Sequence, residues 1–364
     1  MIFVSAITVF VLLLVGLSAV LIVAERLLVN YGVCKLDINN GEKEIEVEGG
    51  QTLLSALNSA EIWIPSACGG KGSCGYCKLR VLSGGGGKPL PTETPFLDRR
   101  EMRNGTRLAC QVKVREDMQL RIPEDLLNVK LYAAVVKSTI SLTHDTKEIR
   151  FSLQEPAEIL QRPGQYIQII APSPDGPVSR AYSISSATYE TNEVELNVRL
   201  MPFGIGSTYL HNLEVGDQVS FTGPYGEFEL DENPDTELIC VGGGCGMAPM
   251  KNIIYSVYDR WPDRTLWLFF GCRGTRDIFY LDEMRELAKK HPNFHVVYAL
   301  SDQLEEGETW DGETGFIHLA VDKYLEPDVR RQAFLCGPPP MIEAVMGVLH
   351  EKGLRDRHIF YDKF

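Results

Sequence analysis

Cys68, Cys74 and Cys77 fall within "CGGKGSCGYC" at the spacing C-x5-C-x2-C, and Cys110 follows at a distance suited to a loop closed by a returning strand. Thiols this dense can hold metal. A 2Fe-2S cluster takes four thiolates, and its negatively charged sulfides need backbone N–H donors close by, so a loop carrying bulky side chains would keep the chain away. Gly69, Gly70, Gly72 and Gly75 meet that need. A tetrahedral zinc site is the alternative. It usually shows two short cysteine pairs, or a pair plus histidines, whereas here the fourth cysteine is solitary and no histidine precedes His144.

Two further segments carry chemistry. "RAYSISS" resembles the R-x-Y-S signature of ferredoxin-NADP reductase-like flavoproteins, and the resemblance implies that Arg180 neutralises a pyrophosphate, Tyr182 stacks on the flavin ring or ribityl face, and Ser183 hydrogen-bonds near flavin N5, the atom that accepts hydride. In "GIGSTYLHNL", Ser207 is placed to cap a short helix whose first N–H groups could hold phosphates; His211 reads as a packing or surface residue rather than a catalyst. "ELICVGGGCGMAPM" puts Gly242, Gly243, Gly244 and Gly246 between a buried strand and a helix expected to start near Pro249, a turn that lets backbone approach a dinucleotide. No Ser/His/Asp or paired-carboxylate constellation stands out.

The elements that must position these residues follow from pattern. "CKLDINNGEKEIEVEGGQTLLSALNSA" reads as two strands about an Asn-Gly turn and a helix near Thr52 to Ser59. Thr94 and Pro95 look like an N-cap and first helical residue, Asn104-Gly105 a stop, and "TRLACQVKV" a strand with Cys110 at its start. From 129 to 232 strand-like segments separated by Gly and Pro suggest an antiparallel barrel. From 233 to 364 strands alternate with helices, near Met250 to Tyr258, Leu281 to Lys290 and Met341 to Glu351, implying an α/β parallel sheet.

Ile2 to Ala24 contains no charged residue, and its 23 positions match a hydrocarbon core of about 30 Å. A transmembrane helix over 1–26 is expected. A cleaved signal peptide is the rival reading, but no basic residue precedes the run and no small-x-small site follows it. Arg26 and Lys35 after the run place the rest of the chain on the cytoplasmic side. The 364 residues, 44% hydrophobic, suffice for several domains, and a net charge of -13 with no basic run argues against a nucleic-acid partner. Nine cysteines, an odd count, suit ligands or buried thiols in a reducing compartment.

The cysteine loop resembles that of ferredoxins with a five-residue first gap, over about Cys34 to Pro123. The order membrane helix, ferredoxin, ferredoxin-NADP reductase-like flavin module resembles the F subunits of sodium-translocating NADH:quinone oxidoreductases across the whole chain. The resemblance implies a β-grasp ferredoxin domain (33–125), an FAD barrel (129–232) and an NAD domain (233–364), in a bacterial inner-membrane complex with integral membrane partner subunits. It implies that NADH reduces FAD and that FAD reduces the 2Fe-2S cluster. It also places Ala181, Asn197, Val198, Gly204, Gly206, Thr208, Met247, Pro249 and Gly337 at cofactors, brings Cys336 of "CGPPPM" close to the nicotinamide, and covers the flavin with a C-terminal aromatic, Phe364 or, second, Tyr361. Arg273 and Arg276 lie where the adenosine half would bind; either could take a 2′-phosphate, so NADH is preferred over NADPH by resemblance alone. The reductase of a multicomponent oxygenase shares this module order, and an anchored iron–sulfur module with a degenerate reductase is a third reading.

Overall fold

Asn39, Asn40 and Gly41 all take positive φ and turn strand β1 (Val33–Ile38) back onto β2 (Lys43–Glu48), as the Asn-Gly signal predicts. The computed structural model describes residues 10–20, 31–174, 176–226 and 228–363. Residues 10–20 form a helix, α1, with an exposed apolar surface. The expected transmembrane segment lies partly outside the described residues, and among the described residues no helix is long and apolar enough to cross a membrane. The chain divides into two compact units, Met1–Asn128 and Val129–Phe364.

In the first unit Thr52 caps α2 (Leu53–Ser59), its side chain accepting from Ser55 N–H. Leu53 and Leu57 of that helix pack against Leu36 and Ile38 of β1, each such side chain stabilising by about 1.5–3 kcal/mol. Strands β3 (Lys78–Ser83), β4 (Thr106–Leu108) and β5 (Met118–Arg121) complete a sheet ordered β2-β1-β5-β3-β4, with β1 and β5 parallel. A helix laid over such a mixed sheet is the expected ferredoxin architecture. Two local readings need correction. Thr94 and Pro95 lie in a turn; the helix is α3 (Arg99–Arg103), because Asp98 and Glu101 form a full capping box there. Strand β4 ends at Leu108, so Cys110 sits just past a strand rather than at the start of one. The short α4 (Glu124–Leu127) closes the unit.

The second unit begins with a six-stranded antiparallel barrel: β6 (Lys130–Ser141), β7 (Thr146–Glu155), β8 (Tyr166–Ala171), β9 (Val178–Ser183), β10 (Glu193–Arg199) and β11 (Gln218–Tyr225), ordered β10-β7-β6-β11-β8-β9. Helix α5 (Ile205–His211) lies in the connection from β10 to β11 and buries Leu210 in the barrel core.

A six-stranded parallel sheet follows: β12 (Glu237–Gly243), β13 (Leu266–Cys272), β14 (Phe294–Leu300), β15 (Glu313–Thr314), β16 (Arg331–Gly337) and β17 (Ile359–Lys363). Helices α6 (Met247–Arg260), α7 (Leu281–Lys290), α8 (Ile317–Tyr324) and α9 (Pro339–Glu351) cover it. Along β12, Leu238 and Cys240 enter one core while Ile239 and Val241 enter another on the opposite face, which is why its sequence reads as continuously apolar. The order β15-β14-β13-β12-β16-β17 reverses between β12 and β16. Ligands of open α/β sheets bind beyond the carboxyl ends of the strands at such a reversal.

Candidate functional site

The four thiols of the first unit come in two pairs. Cys74 Sγ lies 3.3 Å from Cys68 Sγ, and the Cys77 and Cys110 thiols are hydrogen-bonded to each other. Burial pushes Cys68 up, but N–H groups of Ser73 and Lys71 and the Cys74 thiol outweigh it and bring Cys68 down to about 7. The bond from Cys77, helped against burial by the Gln111 amide and Gly72 N–H, lowers Cys110 to about 6. Burial raises Cys74, and the bond to Cys110 raises Cys77.

Local backbone makes this possible. Gly72 and Gly75 both have φ of +75°; a Cβ on Gly72 would fall 2.6 Å from Gln111 Nε2, and one on Gly75 2.7 Å from Phe96 Cδ1. Only glycine allows the loop to wrap this tightly with its N–H groups turned inward. Two thiol pairs within a shell of amide donors fit a two-iron cluster, each iron taking one pair.

Behind Cys110 the chain is pinned by a buried ion pair. Glu93 accepts from Arg107 Nε at 2.9 and 3.1 Å, from Arg107 Nη2 at 2.6 Å, and from Leu108 N–H at 2.9 Å. Burial opposes the Glu93 charge, but these bonds keep its carboxyl below the usual range.

In the second unit, Arg180, Ala181, Tyr182 and Ser183 occupy β9, an edge strand paired to β8 with Ser183 opposite Tyr166. The other edge of the barrel, β10, meets this segment through one isolated bridge, Ile184 to Leu196. The facing edges of β9 and β10 thus carry no ladder between them, and the start of α5 enters beside that opening. A Cβ on Gly206 would stand 2.7 Å from Tyr182 Oη and 2.8 Å from Arg180 Cγ, so α5 presses directly on the Arg and Tyr side chains. This cradle fits an extended aromatic cofactor with a phosphate tail. Ser207 does not cap the helix: Gly204 is the N-cap, and Ser207 Oγ, already inside the first turn, accepts from Met201 N–H at 3.0 Å and donates to the Gly204 carbonyl at 3.2 Å.

A cavity of about 490 Å³ opens at the carboxyl ends of the parallel strands, lined by Gly243, Gly244, Arg273, Phe316, Pro338 and Met341 and, from the barrel, by Thr143, Asp145 and Arg199. Gly244 has φ +57° with open space above it, as a turn facing a dinucleotide requires. A Cβ on Gly246 would fall 2.0 Å from the Cys336 carbonyl oxygen, so the turn can only pass under β16 as glycine. The turn itself is a 3-10 segment, Gly244–Gly246, and α6 begins at Met247, earlier than Pro249 suggested, because the glycine turn runs directly into helix. Asp145 pairs with Arg199 Nε at 2.8 Å. Burial works against its charge, but this bond, with those of Thr146 and Thr143, keeps the carboxyl below its usual range.

Three family descriptions match the chain: a 2Fe-2S iron-sulfur cluster binding domain over residues 36–115, an oxidoreductase FAD-binding domain over 133–230 and an oxidoreductase NAD-binding domain over 240–346. The F subunit of the Na(+)-translocating NADH-quinone reductase of Neisseria meningitidis is 36% identical over 98% of this chain and 98% of its own length, and that of Actinobacillus pleuropneumoniae is 36% identical over 100% of this chain and 98% of its own. The chain belongs to the family of these F subunits. Among solved structures, the cytochrome P450 reductase GcoB of Amycolatopsis is similar at TM-score 0.73 and 31% identity, covering 91% of this chain and 98% of that one. The ferredoxin reductase of carbazole 1,9a-dioxygenase is similar at TM-score 0.68 and 27% identity, with the same coverage.

In this F-subunit homologue the remaining sequence-derived residues lie as follows. Val198 is wholly within the barrel core, while the buried Asn197 amide donates to Tyr280 Oη at 2.8 Å. Thr208 N–H bonds the Gly204 carbonyl inside α5, at 2.9 Å. Met247 is buried in the core of the nucleotide domain, as is Pro249 in the first turn of α6. Cys336 is buried under the glycine turn, its thiol pushed well up by burial, and it does not line the cavity; Gly337 follows it at φ +155°. Arg273 lines the cavity, 3.8 Å from Asp277. Tyr361 stands exposed on β17, and Phe364 lies outside the described residues. Sequence reasoning missed Asp145, Arg199 and Phe316, which carry no motif and meet only through the fold.

Proposed function

We propose that this chain is the NADH-oxidising electron-input subunit of a membrane NADH:quinone oxidoreductase. The observation that carries the reading is the presence of two thiol pairs in one unit and a flavin-type barrel joined to a nucleotide-binding sheet in the other, in a chain alike from end to end to the F subunits of Na(+)-translocating NADH-quinone reductases. FAD, when bound, accepts a hydride from NADH and returns its electrons singly, and a 2Fe-2S cluster carries one electron at a time. Cys68, Cys74, Cys77 and Cys110 hold the cluster. Arg180 and the first turn of α5 hold the FAD phosphates, with Tyr182 against the flavin and Ser183 near N5. Gly242 to Gly246 receive the dinucleotide, Arg273 faces its adenosine half, and Phe364 covers the flavin. The domains run 33–125, 129–232 and 233–364, behind a single-pass anchor over 1–26 that leaves them on the cytoplasmic side of the inner membrane, next to integral membrane subunits.

A second reading, the reductase of an oxygenase, is favoured by the likeness to a cytochrome P450 reductase and to a dioxygenase ferredoxin reductase. The uncharged run Ile2 to Ala24 favours the first. Extraction from membranes in mild detergent decides between them: copurifying integral membrane proteins and NADH-driven quinone reduction support the first, whereas a soluble hydroxylase partner would replace it with the second.

A further inference from the structure

Helix α6 leaves the glycine turn of the dinucleotide cavity and turns one polar stripe toward the barrel. Asn252, 0% exposed, donates from Nδ2 to the Ser186 carbonyl and, at 3.1 Å, to Gln161 Oε1, and its Oδ1 accepts from Gly164 N–H at 2.7 Å. Lys251 Nζ lies 2.9 Å from Glu195 Oε1, with Glu283 at 3.6 Å and Glu148 at 3.7 Å. Ser256 Oγ accepts from Thr188 N–H at 3.0 Å. Glu195 also accepts from Ser185 Oγ at 2.8 Å.

Asn252 and Ser256 reach the segment that continues the flavin strand β9, whereas Lys251 binds Glu195 of β10, Glu148 of β7 and Glu283 of α7, and Glu195 alone links back to that segment, through Ser185. Ser185, Ser186 and Thr188 follow Ser183 directly along the chain, and Gln161 and Gly164 lead into β8, whose Tyr166 pairs with Ser183. Burying Lys251, Asn252 and Ser256 is unfavourable compared with apolar side chains at the same positions. What such groups add is direction, because hydrogen bonds fix register where apolar surfaces can slide.

Resting on the hydride-transfer reading above, we infer that Asn252 directly, and Lys251 through Glu195, are positioning residues that tie the helix carrying the nicotinamide turn to the segment that continues the strand carrying the flavin motif. In the reaction the C4–H bond of the dihydronicotinamide breaks and an N5–H bond forms; one proton and two electrons move together, oxidising the nicotinamide and reducing the flavin. That exchange needs the two atoms within about 3–3.5 Å, and a misplacement of about 1 Å can slow it roughly 100-fold.

The test uses the full chain loaded with FAD and cluster, as wild type, Asn252→Ala and Lys251→Met. Flavin bleaching is timed at saturating NADH and C4-deuterated NADH; NAD+ affinity, FAD content and amide hydrogen exchange are measured alongside. Asn252→Ala is expected to bleach roughly ten- to hundredfold more slowly, with a full deuterium effect, unchanged FAD content and NAD+ affinity, and faster exchange at Gly164. Faster exchange at Gly164 with a wild-type bleaching rate would overturn the inference. So would loss of FAD from both variants, which would make the stripe a structural interface only. If Lys251→Met alone fails to fold, Asn252→Ala, which removes no charge, decides. A wild-type protein that NADH cannot bleach would instead bring down the hydride-transfer reading itself, whatever the exchange pattern.

Discussion

Replacing Arg107 by Met tests whether the buried pair behind Cys110 holds the cluster loop in shape. The Arg107 and Glu93 side chains are 4% and 0% exposed, and the carboxylate also accepts from Leu90 N–H at 2.7 Å and Leu108 N–H at 2.9 Å. Without the guanidinium, a buried carboxylate keeps its two amide donors but loses its counter-charge, a change that costs about 3–5 kcal/mol. Leu108 lies two residues before Cys110, so the strain reaches the fourth thiolate directly. The assay is denaturant titration of the cluster-loaded chain, followed by visible absorbance and circular dichroism of the cluster. Lys78→Met, which breaks a half-exposed pair with Glu101, serves as a control expected to cost about 1 kcal/mol or less. Equal midpoints for the two variants would refute the reasoning. The pH dependence has a definite sign. Because the folded-state value of Glu93 lies below the usual 4.5, its stabilisation is complete above that value and disappears as pH falls through the lowered one. Glu93→Gln should remove this part of the acid sensitivity while lowering stability at neutral pH.

Three further substitutions probe separate parts of the chain. Cys74→Ala should abolish the cluster's absorbance and paramagnetic signal while NADH still bleaches the flavin; an unchanged cluster spectrum would remove Cys74 from the ligand set. Gly206→Ala places a Cβ 2.7 Å from Tyr182 Oη, an overpacking cost of about 1–3 kcal/mol, and should release FAD on gel filtration with the cluster intact. Ser183→Ala should slow flavin reduction more than it weakens FAD retention, measured by stopped flow and by flavin content; a wild-type rate would exclude a role at N5.

Much of the fold is legible in local sequence. The Asn-Gly hairpin, the Thr52 cap, the barrel strands and the strand–helix alternation after Pro234 each depend on residues within about one element, where turn chemistry and periodicity act. The departures are local too. Thr94-Pro95 imitates a helix start, yet the reciprocal bonds of Asp98 and Glu101 set the true one four residues later. Helix α8 and the short edge strands β15 and β17 escape a reading of the chain, since eight residues or fewer at a sheet margin give little periodic signal.

The amino-acid sequence alone determined which chemical groups are available: four cysteines among glycines, an Arg-x-Tyr-Ser strand, a glycine turn before a helix. Type and spacing are enough there, because backbone approach to a charged cofactor is a local requirement. Tertiary structure alone decided how the thiols divide into pairs, which barrel residues face the dinucleotide cavity, and that Asn252 reaches Ser186, just past the flavin strand, and Lys251 reaches Glu195 of β10. Apart from the Cys68–Cys74 pair within one loop, those contacts join segments dozens of residues apart, and no periodicity in the chain encodes a partner brought close only by the fold.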